Sequence, residues 1–310
     1  MRRLAPFLSV VIFCAGLFCL AQAPTRAAGW LPLVASGRGG YTGPNNVTTA
    51  QPVSWWSCSR AVSSSYAAAQ NPLCDVVLTS TGTGTCTINA GTNGAANMSA
   101  IVCPNSAPVS SAASYCAPGC SITKRYDQVG SNPKVQATLA NMPLLALSYF
   151  NGLPCSKYAS GLSDSSGNGT NFSTFSISVV MDRTSTVSFA DIENFYSGSG
   201  PLFQTYNNTA NSAQMYAGST YVTVPVTDNQ LNTVELVFNG ASSSYSVDGA
   251  APTTVNPGSG STGTAPISTG APTATAMYVC EDGYYGSALS TGDQSALNTN
   301  QRSATYGYNF

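Results

Sequence analysis

From Phe175 to Asp182 the chain alternates: Phe175, Ile177, Val179 and Met181 are large and apolar, and Ser176, Ser178, Val180 and Asp182 fall between them. A period of two is the signature of a strand with one face turned to a core. The same alternation places Val234, Leu236 and Phe238 against Thr233, Glu235 and Val237. Asn239-Gly240 then predicts a tight turn into a β-rich run, Ser242 to Val247, and Asp248-Gly249 predicts a second one. Tyr221 to Val226 reads as a strand whose Pro225 sets it at an edge or ends it there. Met277 to Cys280 reads as another short strand. Short strands separated by dense turn signals predict an all-β sandwich. Two segments depart from this pattern. Ala250 to Pro272 is uncharged and rich in Gly, Ser, Thr and Pro, which predicts a long loop. Ser290 or Thr291 is placed to cap a short terminal helix running to about Ser303.

The amino terminus sets the compartment. Met1-Arg2-Arg3 precedes an apolar run from Leu4 to Ala21, then small residues, the pattern of a secretory signal peptide with cleavage after Ala27. The expected organisation is a signal peptide over 1–27 and one sandwich domain over 28–310. The product is expected to be secreted or periplasmic, with no permanent membrane span after cleavage. Of ten cysteines, Cys14 and Cys19 fall in the apolar run, which leaves Cys58, Cys74, Cys86, Cys103, Cys116, Cys120, Cys155 and Cys280. An even number in an oxidising compartment predicts disulfides, although eight cysteines allow 105 pairings. Six of them make 55–120 a stapled, loop-rich part, in which Cys116-Ala-Pro-Gly-Cys120 could close a small loop. The spacings lack paired C-x-x-C units, so no metal site and no cofactor are expected.

Charge narrows the chemistry. Only 7% of the 310 residues are charged, against roughly 25% in an average soluble protein, and there is no histidine. A Ser-His-Asp or Cys-His nucleophile and a His-ligated metal are therefore excluded. Loss of the signal peptide removes three of the eleven basic residues, leaving twelve acids in excess of eight bases. Such a chain lacks the positive surface that nucleic acid requires. At 43% hydrophobic it can nevertheless bury a core. A pair of carboxylates remains sufficient for one kind of hydrolysis, that of glycosides, in which one acts as nucleophile and the other as acid and base.

Apart from Asp182 in the alternating strand, the twelve acids sort by context. Asp75, Asp164, Asp248 and Asp293 sit in turn or cap settings, Asp228 opens a polar turn, and Glu235 alternates outward on its strand, where water would solvate it. Asp127, in Tyr126-Asp127-Gln128, could serve a loop. Two clusters remain: Asp191-Ile192-Glu193-Asn194 in an apolar-flanked strand, and Glu281-Asp282 directly after Cys280. Each is either a solvated strand end or a place where a sugar is gripped or cleaved.

The segment from Cys120 through Tyr126-Asp127-Gln128-Val129-Gly130 to Asn132, followed by Gln136-Ala137-Thr138, resembles a segment of the arabinofuranosidase B catalytic domain family (glycoside hydrolase family 54). Related laminin-G or concanavalin A-like domains share that segment. Ser59-Arg60-Ala61 to Tyr66 resembles the start of that domain, and Asp191-Ile192-Glu193-Asn194 with Ser197-Gly198 is similar to its nucleophile strand. The resemblance implies a concanavalin A-like jelly-roll sandwich and retaining α-L-arabinofuranosidase chemistry. It casts Glu193 as nucleophile, Asp282 as acid and base, and Asp191 and Asn194 as holders of sugar hydroxyls. The adjacent Cys-Cys pair of that family does not occur here.

Trp55-Trp56 and Tyr284-Tyr285 either stack on sugar faces or fill the core. Two readings follow. One is a secreted, monomeric hydrolase acting on arabinose-containing polysaccharide or oligosaccharide. The other is a non-catalytic module that binds glycans or cell-surface partners, its acids structural or forming a weak Ca²⁺ site. The hydrolase requires Asp282 to hold a proton before reaction, raised by burial or by the charge of Glu193.

Overall fold

A computed structural model describes residues 40–104, 111–184, 189–195, 200–206, 209–273, 276–305 and 307–310; the expected signal peptide lies outside them. Alternation in the sequence becomes two antiparallel layers. One layer runs Thr253–Val255, Ser243–Val247, Leu231–Phe238, Phe175–Arg183 and Met277–Tyr285. Ser54–Ser57 and Leu153–Tyr158 share the far edge of that last strand. The other layer runs Val222–Val224, Ala213–Tyr216, Leu202–Tyr206, Phe189–Asn194, Pro266–Thr273, Leu162–Asn168 and the two-residue Lys134–Val135. Leu144–Phe150, Cys120–Arg125, Pro72–Leu78 and Cys86–Asn89 continue beyond Leu153–Tyr158. Cys120–Arg125 also pairs with Lys134–Val135, so the two layers are joined along one side. This is the expected all-β, concanavalin A-like sandwich.

Phe175, Ile177, Val179, Met181, Val234, Leu236 and Phe238 point between the layers and meet Ile192, Phe203, Met215 and Ile267 from the other one. Burying each large apolar side chain contributes about 1.5–3 kcal/mol. Val222–Val224 pairs on one side only, with Ala213–Tyr216, as Pro225 requires. Asp248 and Gly249 both have positive φ, 52° and 79°, which suits the tight turn after Val247.

The run Ala250 to Pro272, expected as a loop, holds the strand Thr253–Val255 and all but the last residue of Pro266–Thr273. The second is internal, paired to Phe189–Asn194 and to Leu162–Asn168. It escapes notice because Ile267 is the one large apolar residue that it sends into the core. Asp75 and Asp164, expected in turns, lie within Pro72–Leu78 and Leu162–Asn168.

Thr291–Gln301 forms the terminal helix, capped by the Ser290 side chain, which accepts the Asp293 N–H. The helix covers the outer face of the first layer, and this reverses the expectation for Glu235. Gln301 donates to Ser178 Oγ at 2.9 Å and Asn298 Nδ2 to Glu235 Oε2 at 3.3 Å. Glu235 is 0% exposed, and burial pushes its carboxyl up to about 8. A folded pKa above the unfolded value of about 4.3 means stability fully present below pH ~4 and lost as pH rises towards 8. Glu235→Gln keeps an acceptor for Asn298 and removes the titration. Its unfolding free energy from urea titration should exceed that of the wild type by a few kcal/mol at pH 8 and by little at pH 4.

Three disulfides are formed, Cys86–Cys103, Cys116–Cys120 and Cys155–Cys280, while Cys58 and Cys74 are buried thiols. Among the described residues no helix is long and apolar enough to cross a membrane.

Candidate functional site

The strand Phe189–Asn194 has a β-bulge between Asp191 and Glu193. Asp191 pairs with Gln204 and Gly270, whereas Glu193 pairs with Phe203, whose ring is in the core. The extra residue, Ile192, thereby turns Glu193 inward and leaves Asp191 on the outer face. On Met277–Tyr285 the alternation separates the adjacent acids. Glu281 faces out towards the terminal helix, bound by Arg60 at 2.6 and 2.8 Å and by Gln301 at 2.8 Å. Asp282 pairs with Trp56 and Val179 and points between the layers.

Glu193 and Asp282, 89 positions apart in sequence and on opposed layers, thus converge on one ammonium. Lys134 Nζ lies 2.8 Å from Glu193 Oε1 and 2.6 Å from Asp282 Oδ2. These two carboxylate oxygens can be no farther apart than both bonds laid end to end, an upper limit close to the roughly 5–5.5 Å that separates the carboxyl groups of retaining glycosidases. Lys134 also donates to Thr269 Oγ1 at 2.7 Å and sits 4.5 Å from the Trp56 ring centroid. Arg125 bonds Asp282 through Nη1 and grips Asp164 with Nε and Nη2, at 2.7 and 3.0 Å. Tyr158 donates to the same Asp164 carboxylate. Glu193 is 2% exposed; Lys134 and Asp282 are 0% exposed.

Two cations and three carboxyls share this closed space. Burial raises the Glu193 carboxyl well above the usual range, outweighing Lys134, and the negative Asp282 adds to the rise. Burial acts on Asp282 in the same sense, but Arg125 and then Lys134 overcome it and hold the carboxyl below its ordinary value. The two shifts run in opposite senses, which favours a proton on Glu193 and the charge on Asp282. This is the reverse of what retaining chemistry with Glu193 as nucleophile requires, because both cations lie closer about Asp282.

Asp191 and Asn194 do not share this space. Asn194 Nδ2 donates to Asp191 Oδ2 at 2.9 Å, and Asp191 lines an outer groove of about 360 Å³ with Gly161, Leu162, Ser163 and Ser268 to Gly270. Asp191 Oδ1 and Asn194 Oδ1 are buried without a protein partner. Burial raises the Asp191 carboxyl, against the opposing effect of the Asn194 amide.

The aromatic pairs fill cores instead of forming sugar platforms. Trp55, Trp56, Tyr284 and Tyr285 are at most 3% exposed. Trp55 and Tyr285 meet edge to face under the terminal helix, while Trp56 and Tyr284 lie between the layers. Strand Ser54–Ser57 is covered on both sides, so neighbours on opposite faces are both buried.

The Tyr126-Asp127-Gln128 segment is structural. Asp127 accepts from Ser54 Oγ and from the N–H groups of Trp55, Val129, Gly130 and Asn132. Gln128 accepts the Val62 N–H and donates to the carbonyls of Ser57 and Arg60. Together they fasten the turn at 127–132 to the strand bearing Trp56.

Arg125, Lys134, Asp164 and Thr269 were not singled out from the sequence. One signal was available: with so few cations, Arg125 and Lys134 flanking the Tyr-Asp-Gln segment invite a search for buried carboxylates.

No protein-family profile matches this chain, and no curated protein matches it. Solved structures do. A family 54 α-L-arabinofuranosidase soaked with a cyclic sulfate inhibitor aligns with TM-score 0.60 at 17% identity, over 83% of this chain and 64% of that one. An arabinofuranosidase complexed with arabinofuranosyl-α-1,2-xylobiose aligns with TM-score 0.60 at 16% identity, over the same shares. This chain therefore spans about 64% of the length of these neighbours. The segments that resemble the family in sequence and the structures that align in space point the same way, and at this identity they establish one thing: the chain has the arabinofuranosidase sandwich fold.

Proposed function

We propose that this chain is an exported glycoside hydrolase of the α-L-arabinofuranosidase type, acting on arabinose-containing glycans by a retaining two-carboxylate reaction. The observation that carries this reading is the convergence of Glu193 and Asp282 on Lys134 Nζ, at 2.8 and 2.6 Å. The protonation pattern casts Asp282 as the nucleophile at the anomeric carbon. Glu193 then protonates the leaving oxygen and afterwards takes a proton from water. The ammonium occupies the place between the carboxylates that the reacting sugar must take, so turnover requires Lys134 to withdraw. Lys134–Val135 is a strand of two residues, the shortest in that wall. Three disulfides support export to an oxidising compartment.

A second reading, a glycan-binding module without hydrolysis, is favoured by the closure of the pair and by the open groove over Asp191 with its two unpartnered acceptors. The experiment is release of 4-nitrophenol from 4-nitrophenyl α-L-arabinofuranoside by the wild-type protein. Turnover above the buffer rate is expected. A rate equal to buffer, with retention of arabinan or arabinoxylan in a pull-down, would replace the hydrolase by the binding module.

A further inference from the structure

We infer that Cys58 and Cys74 are joined as a fourth disulfide when the chain folds in an oxidising compartment. Both are sealed, 1% and 0% exposed, in the same apolar cluster as Cys86, Cys116 and Cys120. Burial and then the neighbouring Cys58 side chain push the Cys74 thiol up, as expected of two side chains that lie beside each other in that cluster. Cys58 directly follows the strand Ser54–Ser57, and Cys74 lies within Pro72–Leu78. The chain between them folds back through the short helix Ser64–Ala68 and a turn at Gln70, whose φ is 52°. Among the described residues no group of three or more His, Cys, Asp or Glu is arranged to hold a metal. The other six described cysteines are all paired.

Closure is an exchange reaction. The thiolate of one cysteine attacks the disulfide of a protein dithiol oxidant of the compartment, forming a mixed disulfide and releasing one oxidant thiolate. The second cysteine then attacks the mixed disulfide, forming the Cys58–Cys74 bond and expelling the reduced oxidant. Two protons and two electrons leave the pair, and the oxidant takes up both electrons. Because the folded sulfurs are out of reach, the bond forms before the cluster closes over them. It ties a loop of about 16 residues, a size at which cross-linking removes substantial freedom from the unfolded chain. It also anchors the strand whose Trp56 pairs with Asp282.

The test is an intact-mass measurement on full-length chain exported through an oxidising compartment, unfolded in denaturant with iodoacetamide and no reductant. The expected result is no alkylation at Cys58 or Cys74, and a reduction-sensitive pair of chymotryptic peptides, Ser57–Tyr66 joined to Cys74–Leu78. Alkylation of both residues, or either one found bonded to a different cysteine, overturns the inference. A second measurement uses Cys58→Ser and Cys74→Ser. Each variant should expose one alkylatable thiol and melt about 5–10 °C below the oxidised wild type. After full reduction, that gap should close. Variants that melt with the oxidised wild type, or a gap unchanged by reduction, would mean the sulfurs are merely packed together.

Discussion

Under the proposed reaction, Asp282→Asn should lower hydrolysis of 4-nitrophenyl α-L-arabinofuranoside by at least about 10⁴-fold, because it removes the group assigned there to form the glycosyl-enzyme bond. Glu193→Gln should behave differently towards the same substrate. 4-Nitrophenolate leaves as a stable anion and needs no proton, so the first step survives within about tenfold and yields a burst of colour. The second step then stalls, since no base remains to activate water. With an arabinosyl-xylan oligosaccharide, whose leaving alkoxide needs a proton, Glu193→Gln should lose about 10²–10⁴-fold. Azide should rescue Glu193→Gln by attacking the intermediate without a base. The opposite pattern, a burst from Asp282→Asn and none from Glu193→Gln, restores the roles implied by the sequence resemblance. It would mean that withdrawal of Lys134 reverses the resting protonation. Far-UV circular dichroism of each variant separates lost chemistry from lost fold.

That assignment turns on features of very different legibility. The inward faces of Phe175–Arg183 and Leu231–Phe238 are plain in the sequence, because the period-two pattern is carried by large apolar residues. That Glu281 and Asp282 serve opposite faces follows from the same pleat. Which of them enters the sandwich does not, since the strand is bulged between Val279 and Glu281. The bulge at Ile192 is equally silent. Strict alternation would put Asp191 and Glu193 together, and one extra residue parts them. Glu235 was misread because alternation reports which face of a sheet a residue takes. It does not report whether a helix from the far end of the chain will cover that face. Pro266–Thr273 escapes the pattern because Ile267 is the one large aliphatic side chain in its sequence, and Leu162–Asn168 beside it is equally rich in Ser, Gly and Asn.

Arg125→Leu carries the largest expected loss of stability, and the pH dependence of that loss distinguishes charge from packing. Arg125 is the shared partner of Asp164 and Asp282, both buried, and its removal leaves one carboxylate without a counterion and the other with Lys134 alone. Breaking a buried pair by deleting one partner costs about 3–5 kcal/mol. In the wild type, Asp282 is held below its ordinary value, so its contribution is present above about pH 4 and lost as pH falls through the folded pKa. Without the guanidinium, burial has only Lys134 against it and the Asp282 carboxyl rises above its unfolded value. The stability of the variant is then greatest below about pH 4 and declines as pH increases. Urea unfolding should therefore show a deficit near its full size at pH 7 that shrinks steadily towards pH 3.5. Arg125→Lys should fall between the two, since an ammonium cannot reproduce the fork that holds Asp164 through Nε and Nη2 while Nη1 reaches Asp282. A deficit of the same size at every pH would show that Arg125 acts through its stem and its stacking on Tyr158, 5.8 Å away, and not through its charge. The interior of this sandwich would then tolerate its carboxyls in neutral form, and Asp282 would lose the resting negative charge on which its role as nucleophile depends.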